Sequence, residues 1–135
     1  DYFDAVHAHH FGKDAVAAAQ KARNVLGLFQ QAEHNNLQPL LDFVSQRKGV
    51  RLIGKSRAEG RAPTVSLTVD GRDPADIAAR LAAQKIGIGN GNCYAYRLMG
   101  ALGIEPEQGV VRLSFVHYTR PQELVRLMEA LDQIL

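Results

Sequence analysis

Arg112 stands inside an otherwise apolar run, Gly109-Val-Val-Arg-Leu-Ser-Phe-Val116. A guanidinium carries a rigid fork of donors. On a strand it can grip a carboxylate or phosphate at two points; the plainer alternative is a solvated arginine on an open sheet face. His117, Tyr118 and Thr119 follow at once, so the end of this strand is polar and structured. Gly87-Ile-Gly-Asn-Gly91 invites a phosphate-loop reading. It lacks the Gly-Lys-Ser/Thr ending of a nucleotide loop, and its glycine spacing is wrong for a dinucleotide fingerprint. A tight turn after a strand is the simpler account. Cys93 follows that loop. A cysteine becomes a nucleophile when a neighbour favours its thiolate, but no base or acidic partner adjoins it in sequence. An inert, semi-buried thiol is the plain reading. His7, His9 and His10 could ligate a metal, yet on a helix only His7 and His10 share a face, and no carboxylate or Cys completes a known spacing. They read as surface or interface histidines, with no metal site.

The elements that must carry these residues alternate between helical and strand periods. Residues 2 to 10 suit a short helix ended by Gly12. From Lys13 to about Arg47 the apolar spacing is helical, through Val16, Val25, Leu28, Leu37, Leu40, Leu41 and Val44. Asn35-Asn36 and Pro39 interrupt it. Pro39 either opens a second helix or kinks one long helix, and Gly49 is the expected C-cap. Val50 to Ile53 is a short strand, followed by a polar loop from Gly54 to Pro63 in which Arg57 and Arg61 read as solvated. Thr64-Val-Ser-Leu-Thr-Val69 alternates cleanly, with Val65, Leu67 and Val69 on one face and hydroxyls on the other. After the Asp70-Gly71 turn, Asp73 caps a helix with Pro74 at its first position, ending near Gln84. Ile86 to Gly89 reads as a strand and Tyr94 to Leu102 as a short helix. Val111, Leu113 and Phe115 should face helices, leaving Arg112 and Ser114 on the other side. Thr119 with Gln122 is a capping-box start for a last helix striped by Leu124, Leu127, Met128, Leu131 and Leu135. The expected class is α+β: a small, mostly antiparallel sheet with helices packed on one face, preceded by a long helical segment.

Composition bounds the partners. Hydrophobic residues make up 46% and charged residues 22%, an ordinary globular mix that argues against disorder. A net charge of +2 with no basic stripe offers no case for nucleic acid. No apolar run is long enough for a membrane span, and the acidic N-terminus is no signal peptide. One cysteine excludes an internal disulfide and fits a reducing, cytoplasmic setting.

At this point the residues resemble a known family. Gly109-Val-Val-Arg-Leu-Ser-Phe-Val-His-Tyr-Thr119, followed by a closing amphipathic helix, resembles the terminal strand and helix of class V aminotransferases and cysteine desulfurases. The Val69-Asp-Gly-Arg-Asp-Pro74 turn and the stretch from Ile86 to Met99 are similar to the desulfurase-like branch. The resemblance covers nearly the whole chain, most securely residues 50 to 135. It implies the small C-terminal domain of a fold type I enzyme that uses pyridoxal phosphate, with residues 1-45 a helical segment linking it to the large domain and residues 46-135 the small domain. It implies that Arg112 binds the α-carboxylate of an amino acid substrate and that Asn90, Asn92 and Tyr94 line the site.

One group of desulfurases carries Arg-x-Gly-His-His-Cys, whose Cys attacks the substrate sulfur. Here the matching stretch is Gly89-Asn-Gly-Asn-Cys-Tyr94. Gly89 replaces the Arg, Tyr94 falls where the Cys would be, and Cys93 comes one residue early, so Cys93 is a candidate only if the loop shifts. The Schiff-base lysine of the family lies in the large domain. Lys21 and Lys85 each follow a Gln, as that lysine can, but neither has its Gly-rich context. The expectation is a chain inactive alone, binding no cofactor itself, whose partners are a missing cofactor-binding domain and, in the parent, a second identical subunit. A stand-alone module for small-molecule binding or dimerisation is the rival reading.

Overall fold

The computed structural model describes residues 1–135. In chain order the elements are α1 (Tyr2–Phe11), α2 (Ala18–Ser45), β1 (Val50–Ile53), β2 (Thr64–Val69), α3 (Pro74–Ala83), β3 (Gly89–Gly91), α4 (Tyr96–Ala101), β4 (Val110–Ser114) and α5 (Pro121–Asp132). The architecture is α+β, as the periodicities require. The four strands form one antiparallel sheet in the order β1-β2-β4-β3.

Alternation decides which face of the sheet is covered. Val65 and Leu67 of β2 and Val111 and Leu113 of β4 are buried in one cluster with residues of α2, α3 and α5. From α2 come Leu37, Leu40, Leu41 and Val44, all fully buried at helical spacing. Burying a leucine of this kind contributes roughly 1.5–3 kcal/mol, so this half of α2 is the main brace of the sheet. Ile77 and Leu81 of α3 and Leu124 and Leu131 of α5 complete the layer. The other face carries Thr64, Ser66, Arg112 and Ser114. At one end of it a smaller cluster, Met99 and Ile104 on Val110, seats α4.

Several local expectations shift. Residues 18–45 form one helix, which begins after Lys13 and runs through Asn35, Asn36 and Pro39 without a second start. Its C-cap is Gln46, and Gly49 instead makes the left-handed turn into β1, with φ 74°. The strand expected at 86–89 lies at Gly89–Gly91. Lys85 adopts φ 60° and Ile86 N–H returns to the Leu81 carbonyl at 3.0 Å, so Ile86 and Ile88 pack against the core rather than pair. The helix expected from Tyr94 starts at Tyr96, because Cys93 and Tyr94 are left-handed, at φ 51° and 62°. The last helix is capped one residue later than expected: Arg120 N–H donates to Glu123 Oε2 at 2.8 Å, with Pro121 at the first position. Thr119 Oγ1 instead accepts from Val116 N–H at 3.1 Å and closes the turn after β4. Arg61 is not a solvated loop residue. Its guanidinium donates to the carbonyls of Ile53 at 3.2 Å and Thr64 at 3.1 Å, and also to that of Lys55, and burial lowers its pKa.

One buried polar group ties α2 to the β4–α5 turn. Asn36 is buried, and its Nδ2 donates to the Thr119 carbonyl at 2.9 Å. Asn36→Ala leaves that carbonyl without its partner. The expected cost is about 1–3 kcal/mol, read as a lower urea midpoint at unchanged m-value.

Candidate functional site

Register places the groups around Arg112. On β4 it lies directly opposite Ser66 of β2 and Gly89 of β3. Directly opposed residues of an antiparallel ladder share a face. Arg112 therefore projects from the sheet face turned away from α2, α3 and α5, with Ser66 on one flank and Gly89 on the other. The guanidinium leans toward the glycine. A Cβ at position 89 would stand 3.4 Å from Arg112 Nε and 3.6 Å from Nη2. The missing side chain is what lets the fork lie there.

Arg112 is exposed, and none of the chain's hydrogen bonds or ion pairs uses its guanidinium. Some other arginines are spent internally. Arg51 donates to the Leu102 carbonyl at 2.8 Å, Arg126 to that of Gln84, and Arg47 pairs with Asp132 at 2.6 Å. Arg112 keeps its donors free on a polar face, where a planar anion could take two of them in parallel.

The other site residues expected from sequence are only partly brought together with Arg112. Asn90 pairs with Val111, whose side chain is in the core, so Asn90 is directed to the opposite side of the sheet from Arg112. Asn92 is used inside its own loop. Its Oδ1 accepts from Tyr94 N–H at 3.1 Å, and its Nδ2 donates to the Pro106 carbonyl at 3.3 Å. Cys93 is half-buried, and its thiol turns back to the Gly91 carbonyl at 3.7 Å, its one hydrogen bond. Tyr94 stands at the loop tip with its side chain fully in solvent. The histidines do not converge. His7 is buried, with Nε2 3.2 Å from Asn24 Nδ2, while His9 and His10 are exposed and pack edge to face on each other.

Sequence reasoning missed two supports of this region. His117, just past β4, stacks on Phe29 of α2 with ring centroids 3.6 Å apart, and its Nε2 lies 3.0 Å from the Tyr2 hydroxyl. Gly109, just before β4, touches the backbone of Gly91 and Asn92. The His-Tyr pair was visible as polar structure after the strand. Its aromatic partner, far away in sequence, was not.

Comparison with known proteins gives a consistent result. Residues 28–127 match the aminotransferase class-V family. The chain is 31% identical over 109 residues to the "Aminotransferase-like protein FGM3" of Gibberella zeae, covering 77% of this chain and 27% of that protein. It is 33% identical over 100 residues to a "Probable cysteine desulfurase" of Vibrio cholerae, covering 74% and 23%. Among solved structures it resembles the apo structure of a cysteine desulfurase from Thermococcus onnurineus NA1, with a TM-score of 0.75 and 27% identity over 86% of this chain and 28% of that one. The chain thus spans about a quarter of the length of the relatives it matches.

Gly109 fixes the loop that borders Arg112's strand. It has φ 69°, and a Cβ there would fall 2.0 Å from Gly91 C and 2.5 Å from Asn92 N. No side chain fits without parting the two backbones. Gly109→Ala is expected to cost at least about 1–3 kcal/mol in backbone strain and to speed amide exchange across 89–94. An unchanged exchange pattern there would show that this contact does not hold the loop.

Proposed function

The chain belongs to the class V aminotransferase family, and on that premise we propose that it is the substrate-facing small domain of a pyridoxal-phosphate enzyme acting on an amino acid, of cysteine desulfurase-like type. One observation carries the reading: a guanidinium with every donor free, held on the polar face of the sheet above a residue without a side chain.

Arg112 binds the α-carboxylate of the substrate through two parallel N–H···O bonds. Hydrogen bonds to charged groups are worth about 1.5–3 kcal/mol net. The planar fork also fixes the direction in which the rest of the substrate leaves the carboxylate. β4 is an inner strand of the sheet, braced from behind by α2 and α5. The contribution of this domain is therefore placement: the substrate is held in one orientation before bonds change.

The lysines weighed in the sequence do not fit a covalent cofactor site. Lys21 pairs with Asp4 where α1 meets α2. Lys85 follows α3 in a left-handed turn and lines a groove against α5, on the helix-covered side of the sheet. We assign the cofactor, when bound, and the lysine that carries it to the remainder of the enzyme; the cofactor would supply the electron sink for amino acid chemistry. Residues 1–45 serve as the helical link to that large domain and residues 46–135 as the small domain. A second identical subunit and a cytoplasmic setting complete the proposal, the latter supported by a single cysteine without a disulfide partner. We assign no sulfur-attacking role to Cys93, because its thiol is turned into its own turn.

In the enzyme that carries this chain, Arg112→Ala is expected to raise KM for the amino acid substrate by about 10- to 100-fold, the equivalent of one charge-assisted contact. Cofactor absorbance should be unchanged. Arg112→Lys restores charge without the fork and should recover only part of the loss. An unaltered KM in both variants, across a panel of L-amino acids, would overturn the assignment.

A further inference from the structure

We infer that Ser66 is a second contact for the substrate carboxylate, its hydroxyl donating to one oxygen while Arg112 holds the group from the side. This rests on the role given to Arg112 above and adds to it a residue that sequence did not single out.

The register sets the two residues face to face. Ser66 of β2 is the direct partner of Arg112 of β4, which places their Cβ atoms about 5 Å apart on the same face. The guanidinium leans away from Ser66, toward Gly89. The ground between hydroxyl and fork is therefore not filled by the arginine itself. A carboxylate seated on the fork has lone pairs left over, and Ser66, directly opposed to Arg112, carries a hydroxyl donor on the same face.

The neighbours on this face make the same point by contrast. Thr64 Oγ1 and Ser114 Oγ, the next opposed pair along the ladder, lie 3.3 Å apart and satisfy each other. Ser66 has no such partner: its hydroxyl bonds no group of the chain.

The test uses the complete enzyme with its cofactor, and L-cysteine and L-alanine as probes of carboxylate binding. Ser66→Ala should raise KM, or the dissociation constant of a probe that binds without turnover, by roughly 3- to 10-fold, the size of one neutral-donor hydrogen bond. Turnover at saturation, cofactor absorbance and melting temperature should hold. Ser66→Thr, which keeps the hydroxyl and suits a strand, should bind within about twofold of the unaltered enzyme. The inference is overturned if Ser66→Ala leaves KM unchanged while Arg112→Ala raises it. It is equally overturned if Ser66→Thr fails as Ser66→Ala does, or if the loss falls on turnover and melting temperature instead of KM. Should neither Arg112→Ala nor Ser66→Ala move KM, the failure belongs to the Arg112 assignment itself.

Discussion

The pairing of β2 with β4 is the constraint on which the rest depends. Strand side chains alternate between faces, so a register slip of one residue would exchange the two faces of a strand. Leu113 and Val111 are locked opposite Val65 and Leu67, and all four are buried under α2, α3 and α5. The apolar set cannot leave the core without losing several kcal/mol per residue. Arg112 and Ser66 are thereby forced onto the far face together. The site residue is placed by the burial of its neighbours, and nothing in its own contacts is needed to hold it there.

What sets Arg112 apart is its place on a paired inner strand, with its guanidinium bonded to no group of the chain. Arg61 shows the other fate open to an arginine: it folds back, satisfies the carbonyl of Lys55 in its own loop and those of Ile53 and Thr64 at the flanking strand ends, and loses part of its hydration, which lowers its pKa. Such an arginine organises a loop and has little left for a ligand. No carbonyl is available to Arg112 in the same way. The carbonyls of β4 are engaged in the ladder on both sides, since β4 lies between β2 and β3. An inner strand of a paired sheet offers a side chain no backbone partners beneath it. That is why the same residue type is structural in the Arg61 loop and on the edge strand β1, where Arg51 reaches the Leu102 carbonyl, and available on an inner strand.

Much of this was legible in the sequence, and the limits have a physical cause. The alternation of Thr64 to Val69 and of Val110 to Phe115 identified both strands and the outward direction of Arg112, because burial on one face enforces a period of two. The hydroxyl face of Thr64 to Thr68 was visible too. Its connection to Arg112 was not, since register is a relation between strands about 50 residues apart and leaves no local mark. The segment after α3 misled for a related reason. Ile86 and Ile88 look like strand residues, but an apolar side chain satisfies burial whether or not its backbone pairs. The glycines and Asn90 pair instead, because only there does the chain run close enough to β4. Asn90 joined the expected site through the family resemblance, and register turns it to the face opposite Arg112. Pro39 was ambiguous for want of tertiary information. The buried leucines on either side of it hold one helix across a missing hydrogen bond.

β4 is also fixed lengthwise, and this connects the helical segment to the site. At its start, Gly109 sits against the backbone of Gly91 and Asn92, with no room for a side chain between strand and loop. At its end, His117 is sandwiched into the first two helices: it stacks on Phe29 and meets the Tyr2 hydroxyl, while Tyr2 itself stacks on Phe29 with centroids 6.1 Å apart. Asn36 holds the next turn by the Thr119 carbonyl. Three separate residues of the long helical segment thus bear on the few residues after β4. A displacement of α1 or α2 against the sheet would have to break an aromatic stack and a buried hydrogen bond before it could leave Arg112 where it is. Under the assignment proposed above, the position of the Arg112 fork would follow the helical segment rather than drift independently of it.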